Sequence, residues 1–218
     1  MNSTLTMIAS WMPQLLDGLL LSLQVTFLGL LIGVPGGLVL AVLALSPNRA
    51  LRILSMVLTE VGRGTPALVM LQFVYFGLPN VGLSLEAFAA ASFALTLTTA
   101  AYTSEIIRAG LKSVPQGELE ASDALGISLW DRMRFVVIPQ GLRIAIPTLL
   151  GFAILMFQAS SLAFTIGLPE LLSRAYSIGA SNFRYLEVLA VAGLLYLLVT
   201  IPGAWLTRRA ESRMARHL

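Results

Sequence analysis

The chain has 218 residues, of which 57% are hydrophobic and 11% are charged. A soluble domain has about 25% charged residues, so this composition excludes a soluble globular protein and indicates an integral membrane protein. The formal net charge of +3 does not indicate a nucleic-acid partner, because the basic residues are not gathered in one soluble domain.

Five stretches without a charged residue are each long enough for the ~17 to 25 residues of a membrane-spanning helix. Their apolar residues are nearly continuous and do not alternate, so we predict an all-α membrane protein with five transmembrane helices instead of a β-barrel. No repeat, low-complexity tract or soluble domain separates them, and residues 1–218 are predicted to form one transmembrane domain. The predicted spans cover about residues 13–45, 52–77, 84–107, 140–166 and 185–207.

The first span carries a cluster of glycines around Pro35. Small residues at such spacing let membrane helices approach closely, and a proline inside a helix favours a kink. We interpret this cluster as a packing surface and not as a chemical site. Its glycines are Gly29, Gly33, Gly36 and Gly37.

The second span contains the charged residues Glu60 and Arg63, followed by Thr65 and Pro66. A charge near the bilayer centre costs roughly 2.5 to 3.5 kcal/mol on insertion scales, so we expect these two side chains, three residues apart, to neutralise one another. They form either a polar path or gate, or a structural ion pair near the interface. The third span ends with a second pair at the same spacing, Glu105 and Arg108, which we interpret as an interfacial ion pair.

The fourth span places Met156, Gln158, Ser160 and Ser161 close to mid-depth. These side chains either contact a polar substrate or bond to neighbouring helices and fill gaps. Together with the polar residues of the second span they make up the predicted substrate path: Glu60, Arg63, Thr65, Met156, Gln158, Ser160 and Ser161.

The segment from Gly167 to Phe183 is predicted to be a loop outside the membrane. It holds Glu170 and Arg174, so we expect it to be able to receive an extracytoplasmic partner.

Residues 118–139 form a polar, charged segment between long apolar runs. Its helix start and stop residues predict two short helices: Gly126 supplies the turn, Ser128 caps the second helix and Pro139 terminates it. A surface helix–bend–helix can lay an apolar face in a groove on a partner. The alternative is a solvated loop.

The basic residues predict the topology. If five spans alternate, only Arg174 and Arg184 lie on one side, and by the positive-inside rule that side is external. We therefore predict an external N-terminus, a cytoplasmic C-terminus and a cytoplasmic polar segment. The residues on the cytoplasmic side are Arg49, Arg52, Arg108, Lys112, Arg132, Arg134, Arg143, Arg208, Arg209, Arg213 and Arg216.

Several chemistries are excluded by residues that the chain lacks. There is no cysteine, and the single histidine is His217, so a zinc site of several His or Cys ligands and a Ser–His dyad within the fold are excluded. The sole lysine, Lys112, follows Leu111, so the phosphate-binding pattern GxxxxGK[ST] is also absent. We predict no catalytic residue, no metal site and no cofactor in this chain. If ATP drives the protein, another subunit binds it.

The polar segment resembles the EAA loop of ABC importer permeases. The resemblance rests on Glu120-Ala121-Ser122, on Gly126 four residues later and on Ile138-Pro139. Further segments look like the polar amino acid permease family, and the likeness covers nearly the whole chain. These segments are RGTPALV from Arg63, AYTSEIIRAG from Ala101, SVPQGELEA from Ser113 and IGLPELLSRA from Ile166.

The resemblance implies a type I ABC importer permease fold in a bacterial inner membrane. In this family a coupling helix, here within about residues 112–138, fits a cleft on a cytoplasmic ATPase that binds ATP and Mg. A second permease subunit, identical or homologous, and an extracytoplasmic substrate-binding protein complete the importer. The resemblance places at the ATPase contact Glu120, Ala121, Ser122, Asp123, Ala124, Leu125 and Gly126.

The chain departs from the family pattern at two places. Ser122 replaces a commoner alanine, which is a small change. Family members often read KDTSL where this chain has Gln158 and Ala159 at the Lys and Asp positions. This chain therefore binds a charged amino acid weakly, prefers a neutral substrate or leaves recognition to a second permease subunit. These alternatives stay open at this point.

Our leading hypothesis is a permease subunit, not itself an enzyme, that forms the path for a polar amino acid and couples to a separate ATPase. One alternative is an ion-coupled secondary carrier that uses Glu60 and Arg63 and needs no ATPase. Another is a nonconducting scaffold that uses the polar segment only to hold a partner. Transport in reconstituted vesicles distinguishes the scaffold from both transporters.

Overall fold

The computed structural model describes residues 2–214, with side chains described for residues 6–212. Arg216 and His217 lie outside the described residues, as does the side chain of Arg213. All regular structure in the described part is helical. The α-helices are α1 (Asn2–Ala44), α2 (Arg49–Gly64), α3 (Ala67–Gln72), α4 (Ala87–Lys112), α5 (Gln116–Ala124), α6 (Leu129–Arg132), α7 (Ile138–Ala159), α8 (Leu171–Asn182) and α9 (Tyr185–Met214).

Short segments of other helical geometry extend three of these helices. A π-helical turn at Phe73–Gly77 and a 3-10 turn at Leu78–Val81 follow α3. A second π-helical turn, Met133–Val137, joins α6 to α7, and a 3-10 segment, Ser160–Ile166, continues α7. The all-helical fold class predicted from the composition is confirmed.

Within the described residues, three helices are long and apolar enough to cross a membrane: Thr6–Ala44, Leu129–Ile166 and Tyr185–Ser212. They contain the first, fourth and fifth predicted spans. The third predicted span lies mainly in α4, which has 26 residues. The count of five spans stays a prediction.

The second predicted span, residues 52–77, is not one helix. Helix α2 ends at Gly64, and Thr65 adopts extended backbone angles of φ −86° and ψ 122°. Thr65 precedes Pro66, whose ring disfavours helical geometry in the preceding residue, and Pro66 has no N–H to continue the hydrogen-bond ladder. The apolar stretch is therefore divided between α2 and α3.

Pro139 has the opposite outcome, so the prediction that it terminates the second short helix is wrong. The helix continues from Leu129 through Pro139 to Ile166. Just before the proline, the Ile138 N–H donates to the Met133 carbonyl, five residues back, in the widened π-helical turn. Such a turn changes the ladder locally, where a proline would otherwise interrupt it.

The helices pack around three apolar clusters along the bundle. One cluster joins the N-terminal part of α1 to α8 and to the start of α9. A second lies at mid-height between α3, α4 and α7. The third joins the C-terminal ends of α1 and α4 to the start of α7, and Leu119 of α5 packs against it. We call this third region the loop end, because it carries the segment between α4 and α7.

Helices α1 and α4 are in close contact along the glycines of the first predicted span. A Cβ added at Gly33 would lie 2.5 Å from Thr99 Cβ, and one added at Gly37 would overlap Thr103 Oγ1. At Gly29 the nearest atom would be 3.1 Å away. The three glycines recur every four residues on one face, so the interpretation of this cluster as a packing surface is confirmed.

Helix α2 buries a small, polar face and presents apolar side chains outward. Its buried residues are Ser55, Thr59 and Gly62. The Ser55 hydroxyl donates to the Leu40 carbonyl at 2.6 Å, and Thr59 Oγ1 lies 3.0 Å from Ser104 Oγ. This arrangement is the reverse of a helix on a soluble protein, and it is suited to an apolar environment outside the bundle.

Candidate functional site

The first candidate site is the helix–bend–helix formed by α5 and α6 at the loop end. Helix α5 ends in a Schellman motif: the Ile127 N–H donates to the Ser122 carbonyl at 3.1 Å, and the Gly126 N–H donates to the Asp123 carbonyl at 3.0 Å. Gly126 has φ +68°, in the left-handed region that glycine adopts without a Cβ penalty. The bend predicted at Gly126 is confirmed.

The second helix begins as the sequence predicts. The Ser128 hydroxyl oxygen accepts from the Asp131 N–H at 3.1 Å, and the hydroxyl donates to Asp131 Oδ2 at 2.7 Å. An ion pair between Arg132 and Asp123 connects α6 back to α5. The bend therefore has a defined geometry on both sides and is not a loose loop.

Most residues predicted at the ATPase contact are exposed, and Ser122 is the exception. Its side chain is 3% exposed, and its hydroxyl donates to the Leu119 carbonyl of the same helix at 2.7 Å. Ser122 consequently faces the bundle. The exposed members are Glu120, Ala121, Asp123, Ala124, Leu125 and Gly126.

The apolar surface next to the bend includes Leu125, which the sequence placed at the predicted contact, and also Leu129 and Trp130, which were not singled out from the sequence. Leu125 is 77% exposed, and Trp130, on the short helix that follows, is 69% exposed. Leu129 beside it is also exposed. Exposed carboxylates of Glu120, Asp123 and Asp131 lie on the same two helices. A surface that combines apolar and charged side chains in this way is typical of a protein contact. The sequence feature that could have indicated this surface is Trp130, an aromatic residue inside a polar segment.

The second candidate site is a chain of four charges between α2 and α4. Arg63 Nη1 lies 3.6 Å from Glu60 Oε1 and 3.8 Å from Glu105 Oε2, and Glu105 also pairs with Arg108. The two predicted pairs at i,i+3 are confirmed, and the structure joins them into one network. The Glu60 side chain is 74% exposed in the single chain, so Glu60 is not a buried charge here.

Glu105 also lines a cavity of about 380 Å³ between α4 and α7. None of the residues predicted for the substrate path lines it. Its other lining residues are Ile106, Ala109, Gly110, Ser113, Ile144, Ala145 and Thr148.

The predicted substrate-path residues of the fourth span have mixed positions. Met156 is buried in the mid-height cluster, and Ser160 is buried with its hydroxyl donating to the Phe157 carbonyl at 2.7 Å. Ser161 donates to the Gln158 carbonyl at 2.8 Å, and the Gln158 side chain is exposed. The local hydrogen bonds of both serines match the second interpretation, in which these residues serve the helix itself.

The structure does not bring all substrate-path residues together. Glu60 and Arg63 belong to the charged network, whereas Thr65 Oγ1 donates to the Val61 carbonyl at 2.7 Å. In the described part of the chain, no hydrogen bond or ion pair joins them to Gln158 or Ser161. No group of three or more His, Cys, Asp or Glu residues that could hold a metal ion is found among the described residues.

The segment from Gly167 to Phe183 is not the free outside loop that the sequence predicted. Most of it is helix α8, which packs against α1 and α9. Glu170 caps this helix and is fully buried, so it is not available to a partner. Its hydroxyl partners, Ser22 and Tyr196, are distant in sequence, and no local pattern indicated them.

The match of most of the chain to known proteins identifies the family. Residues 33–216 match the family model described as binding-protein-dependent transport system inner membrane component. The chain therefore belongs to this family of permease components, and the sequence-based resemblance is confirmed.

Two relatives of the chain are permease proteins, in agreement with the family assignment. The chain is 37% identical over 205 residues to the arginine transport system permease protein ArtQ of Bacillus subtilis, covering 92% of this chain and 94% of the relative. It is 35% identical over 208 residues to the glutamine transport system permease protein GlnP of Escherichia coli, covering 93% of each.

A solved structure shares the fold. The crystal structure of an amino acid ABC transporter with histidines contains a chain that is 34% identical and superposes with a TM-score of 0.89, over 95% of this chain and 97% of that chain. The ABC importer permease fold is thereby shown. The chain is a multi-pass inner-membrane permease component of a binding-protein-dependent transport system.

Proposed function

We propose that this permease couples to a separate cytoplasmic ATPase through the helix–bend–helix of α5 and α6. The observation that carries the proposal is the exposed, capped bend at Gly126, with Leu125 and Trp130 presented beside it. A rigid exposed element can transmit a push, whereas a loose loop would deform. ATP binding and hydrolysis on the partner would then rock two permease subunits between outward-open and inward-open states.

Topology and partners belong to the same proposal. The N-terminus is external and the loop end cytoplasmic, in agreement with the positive-inside rule. An extracytoplasmic binding protein delivers the substrate, and a second permease subunit, identical or homologous, completes the walls of the path. Walls on all sides are needed because the bilayer cannot solvate a polar cavity.

The proposed substrate is a polar amino acid. The support is the names of the relatives, an arginine system and a glutamine system among them. Gln158 and Ala159 occupy positions where family members often carry a charge pair. Uptake of radiolabelled arginine and glutamine by reconstituted vesicles, each with its binding protein, distinguishes a cationic from a neutral preference.

The coupling proposal is tested by a matched pair of glycine variants in α5 and its bend. Gly126 has φ +68°, and a Cβ there meets no atom within 4 Å, so Gly126→Ala introduces backbone strain without a clash. Gly117 of α5 has the same open space and no positive φ, so Gly117→Ala is the control. An L-residue in the left-handed region costs about 1–2 kcal/mol.

We expect Gly126→Ala to weaken copurification of the ATPase and to reduce ATP-driven uptake, with Gly117→Ala close to the parent. Equal behaviour of the two variants would contradict a role for the bend. If no ATPase copurifies with the parent, the carrier hypothesis becomes the one to test, with Glu60→Gln as the first variant.

A further inference from the structure

The fully buried carboxylate of Glu170 lies where three helices meet. Its Oε1 accepts from the Ser173 N–H at 2.7 Å, and its Oε2 accepts from the Leu172 N–H at 3.0 Å. Oε2 also accepts from the Tyr196 hydroxyl at 3.2 Å and from the Ser22 hydroxyl at 3.3 Å. These partners belong to α8, α9 and α1.

Both oxygens of the side chain at position 170 must accept hydrogen bonds, and a glutamate carboxylate meets this requirement. Each oxygen faces a backbone N–H, so a glutamine amide would place its NH₂ group against one of them and leave that N–H without a partner. An aspartate is one methylene shorter and cannot reach Tyr196 and Ser22 while it caps α8. Burial raises the pKa of the Glu170 carboxyl, whereas these hydrogen bonds and the positive end of the α8 dipole act in the opposite direction and favour its ionised form.

Helix α1 is shaped to receive the start of α8. The Ser22 hydroxyl oxygen accepts from the Leu171 N–H at 3.3 Å, in addition to its bond with Glu170. One turn earlier, a Cβ added at Gly18 would lie 3.0 Å from the Glu170 carbonyl oxygen and 2.9 Å from Arg174 Cγ. The backbone of α8 therefore lies directly on small residues of α1, and a side chain at Gly18 fits only if α8 shifts by a few tenths of an ångström.

Helix α9 completes the junction. The Tyr196 ring packs on Phe157 of α7 with ring centroids 5.3 Å apart, and its hydroxyl points at Glu170. Leu171 and Val188 are fully buried in the same apolar cluster. Polar and apolar contacts thus act on the same three helices at the end opposite the loop end.

We infer that Glu170 is a positioning residue that makes α1, α8 and α9 move as one rigid body during the transport cycle. This inference rests on the proposed function, since it concerns how a signal from the external side reaches the loop end. Substrate-loaded binding protein acts on the external side, and a rigid α1–α8–α9 unit carries that movement through the membrane. Loss of the carboxylate separates α8 from α1 and α9, and movement at the external side then no longer reaches the loop end.

Spin-label distances test the α1–α8 pair of the rigid unit directly, and the absence of cysteine in the chain makes labelling specific. Labels are placed on Leu20 of α1 and Ser177 of α8, both exposed. In the parent, we expect one narrow distance distribution that is the same in the isolated chain, in the complex with ATP and in the complex with ADP. Glu170→Ala should broaden it, while the control Glu187→Gln, which removes an exposed carboxylate, should not.

Two results would overturn the inference: a distance that changes with the nucleotide in the parent, or a Glu170→Ala distribution as narrow as that of the parent. The isolated-chain measurement does not need the ATPase. A failure of the proposed function therefore shows as missing ATPase binding, separately from a failure of this inference.

A disulfide provides a rescue experiment. The 2.9 Å between a Cβ at Gly18 and Arg174 Cγ is close to the separation of a Cβ and the far sulfur in a disulfide, about 3 Å from standard bond geometry. In the assembled complex, we expect Glu170→Ala to retain basal ATP hydrolysis and to lose its stimulation by the binding protein. Oxidised Gly18→Cys with Arg174→Cys should restore the stimulation, and reduction should remove it again.

A purely structural role for Glu170 would lower complex yield and basal hydrolysis together, and the disulfide would not restore stimulation selectively. Stimulation that stays lost after the disulfide forms would contradict the inference. With Glu170 intact, a double-cysteine chain that keeps stimulation when reduced and loses it on oxidation would also contradict the inference, because it would mean that α8 must move relative to α1.

Discussion

The contact between α1 and α4 allows a sharp test of packing within one helix. Gly33 and Gly36 are three residues apart in α1, and the same change to alanine has different surroundings at each. A Cβ at Gly33 would lie 2.5 Å from Thr99 Cβ and 2.9 Å from the Thr96 carbonyl oxygen. A Cβ at Gly36 would meet only Ala100 Cβ, at an ordinary 3.4 Å.

The expected magnitude follows from these contacts. Alanine is favoured over glycine inside a helix by about 0.5–1 kcal/mol, and this gain is shared by both variants and cancels in the comparison. Overpacking a filled interior costs about 1–3 kcal/mol. At Gly33 one of the short contacts is to backbone, which cannot rotate away. We therefore expect Gly33→Ala to be less stable than Gly36→Ala by about 1–3 kcal/mol.

The measurement is reversible unfolding of the purified chain in mixed micelles, by SDS titration with helicity as the signal. Gly36→Ala should match or slightly exceed the parent, and Gly33→Ala should unfold at lower SDS. Equal free energies of unfolding for the two variants would refute the reasoning, because the close approach would then be absorbed without strain.

Three further predictions use the same unfolding assay or the copurification assay. In a double-mutant cycle, Thr59→Val and Ser104→Ala should show a coupling of about 0.6 kcal/mol, since their hydroxyls lie 3.0 Å apart across α2 and α4; additive effects would contradict the bond. Phe183 is 89% exposed with φ +56°, so Phe183→Gly should raise the free energy of unfolding by about 1 kcal/mol, whereas Phe183→Ala, which keeps the strain, should not. Ser122→Ala should leave ATPase copurification unchanged, because the hydroxyl bonds only within α5, whereas Ser122→Leu should reduce it; a loss with alanine would show a direct role for the hydroxyl.

Local signals in the sequence predicted local structure well. Gly126 and Ser128 lie next to the backbone groups that they satisfy, so the bend and the second cap followed from residue type alone. The apolar runs likewise predicted the fold class. In both cases the physical cause lies within a few residues of the signal.

The prolines show that residue type alone does not determine where a helix ends. Pro66 divides an apolar stretch, whereas Pro139 lies inside a continuous helix that widens just before it. The residue type is the same in both cases, and the outcome depends on whether neighbouring turns can rearrange. A sequence pattern does not contain that information.

The expectation that Glu170 lies in a loop and can receive a partner was wrong for a related reason. Its hydroxyl partners Ser22 and Tyr196 are 148 and 26 residues away, so the burial of this carboxylate depends on tertiary structure. From the sequence it was one more charge in a polar stretch between two spans. The helix–bend–helix could be predicted because its signals are local, and the junction of three helices could not.

Helix α2 buries polar residues and presents apolar ones outward, and this arrangement affects how the helix enters the membrane during synthesis. This helix has 16 residues, or about 24 Å at ~1.5 Å per residue, which is short of the ~30 Å of a bilayer core. Its seam of Ser55 and Thr59 is satisfied only once α1 and α4 lie beside it. We therefore expect the translocon to retain α2 beside α1 until α4 has been synthesised, and to release the three helices into the lipid together. Chains arrested before α4 should therefore be extractable by alkaline carbonate, and chains that include α4 should not.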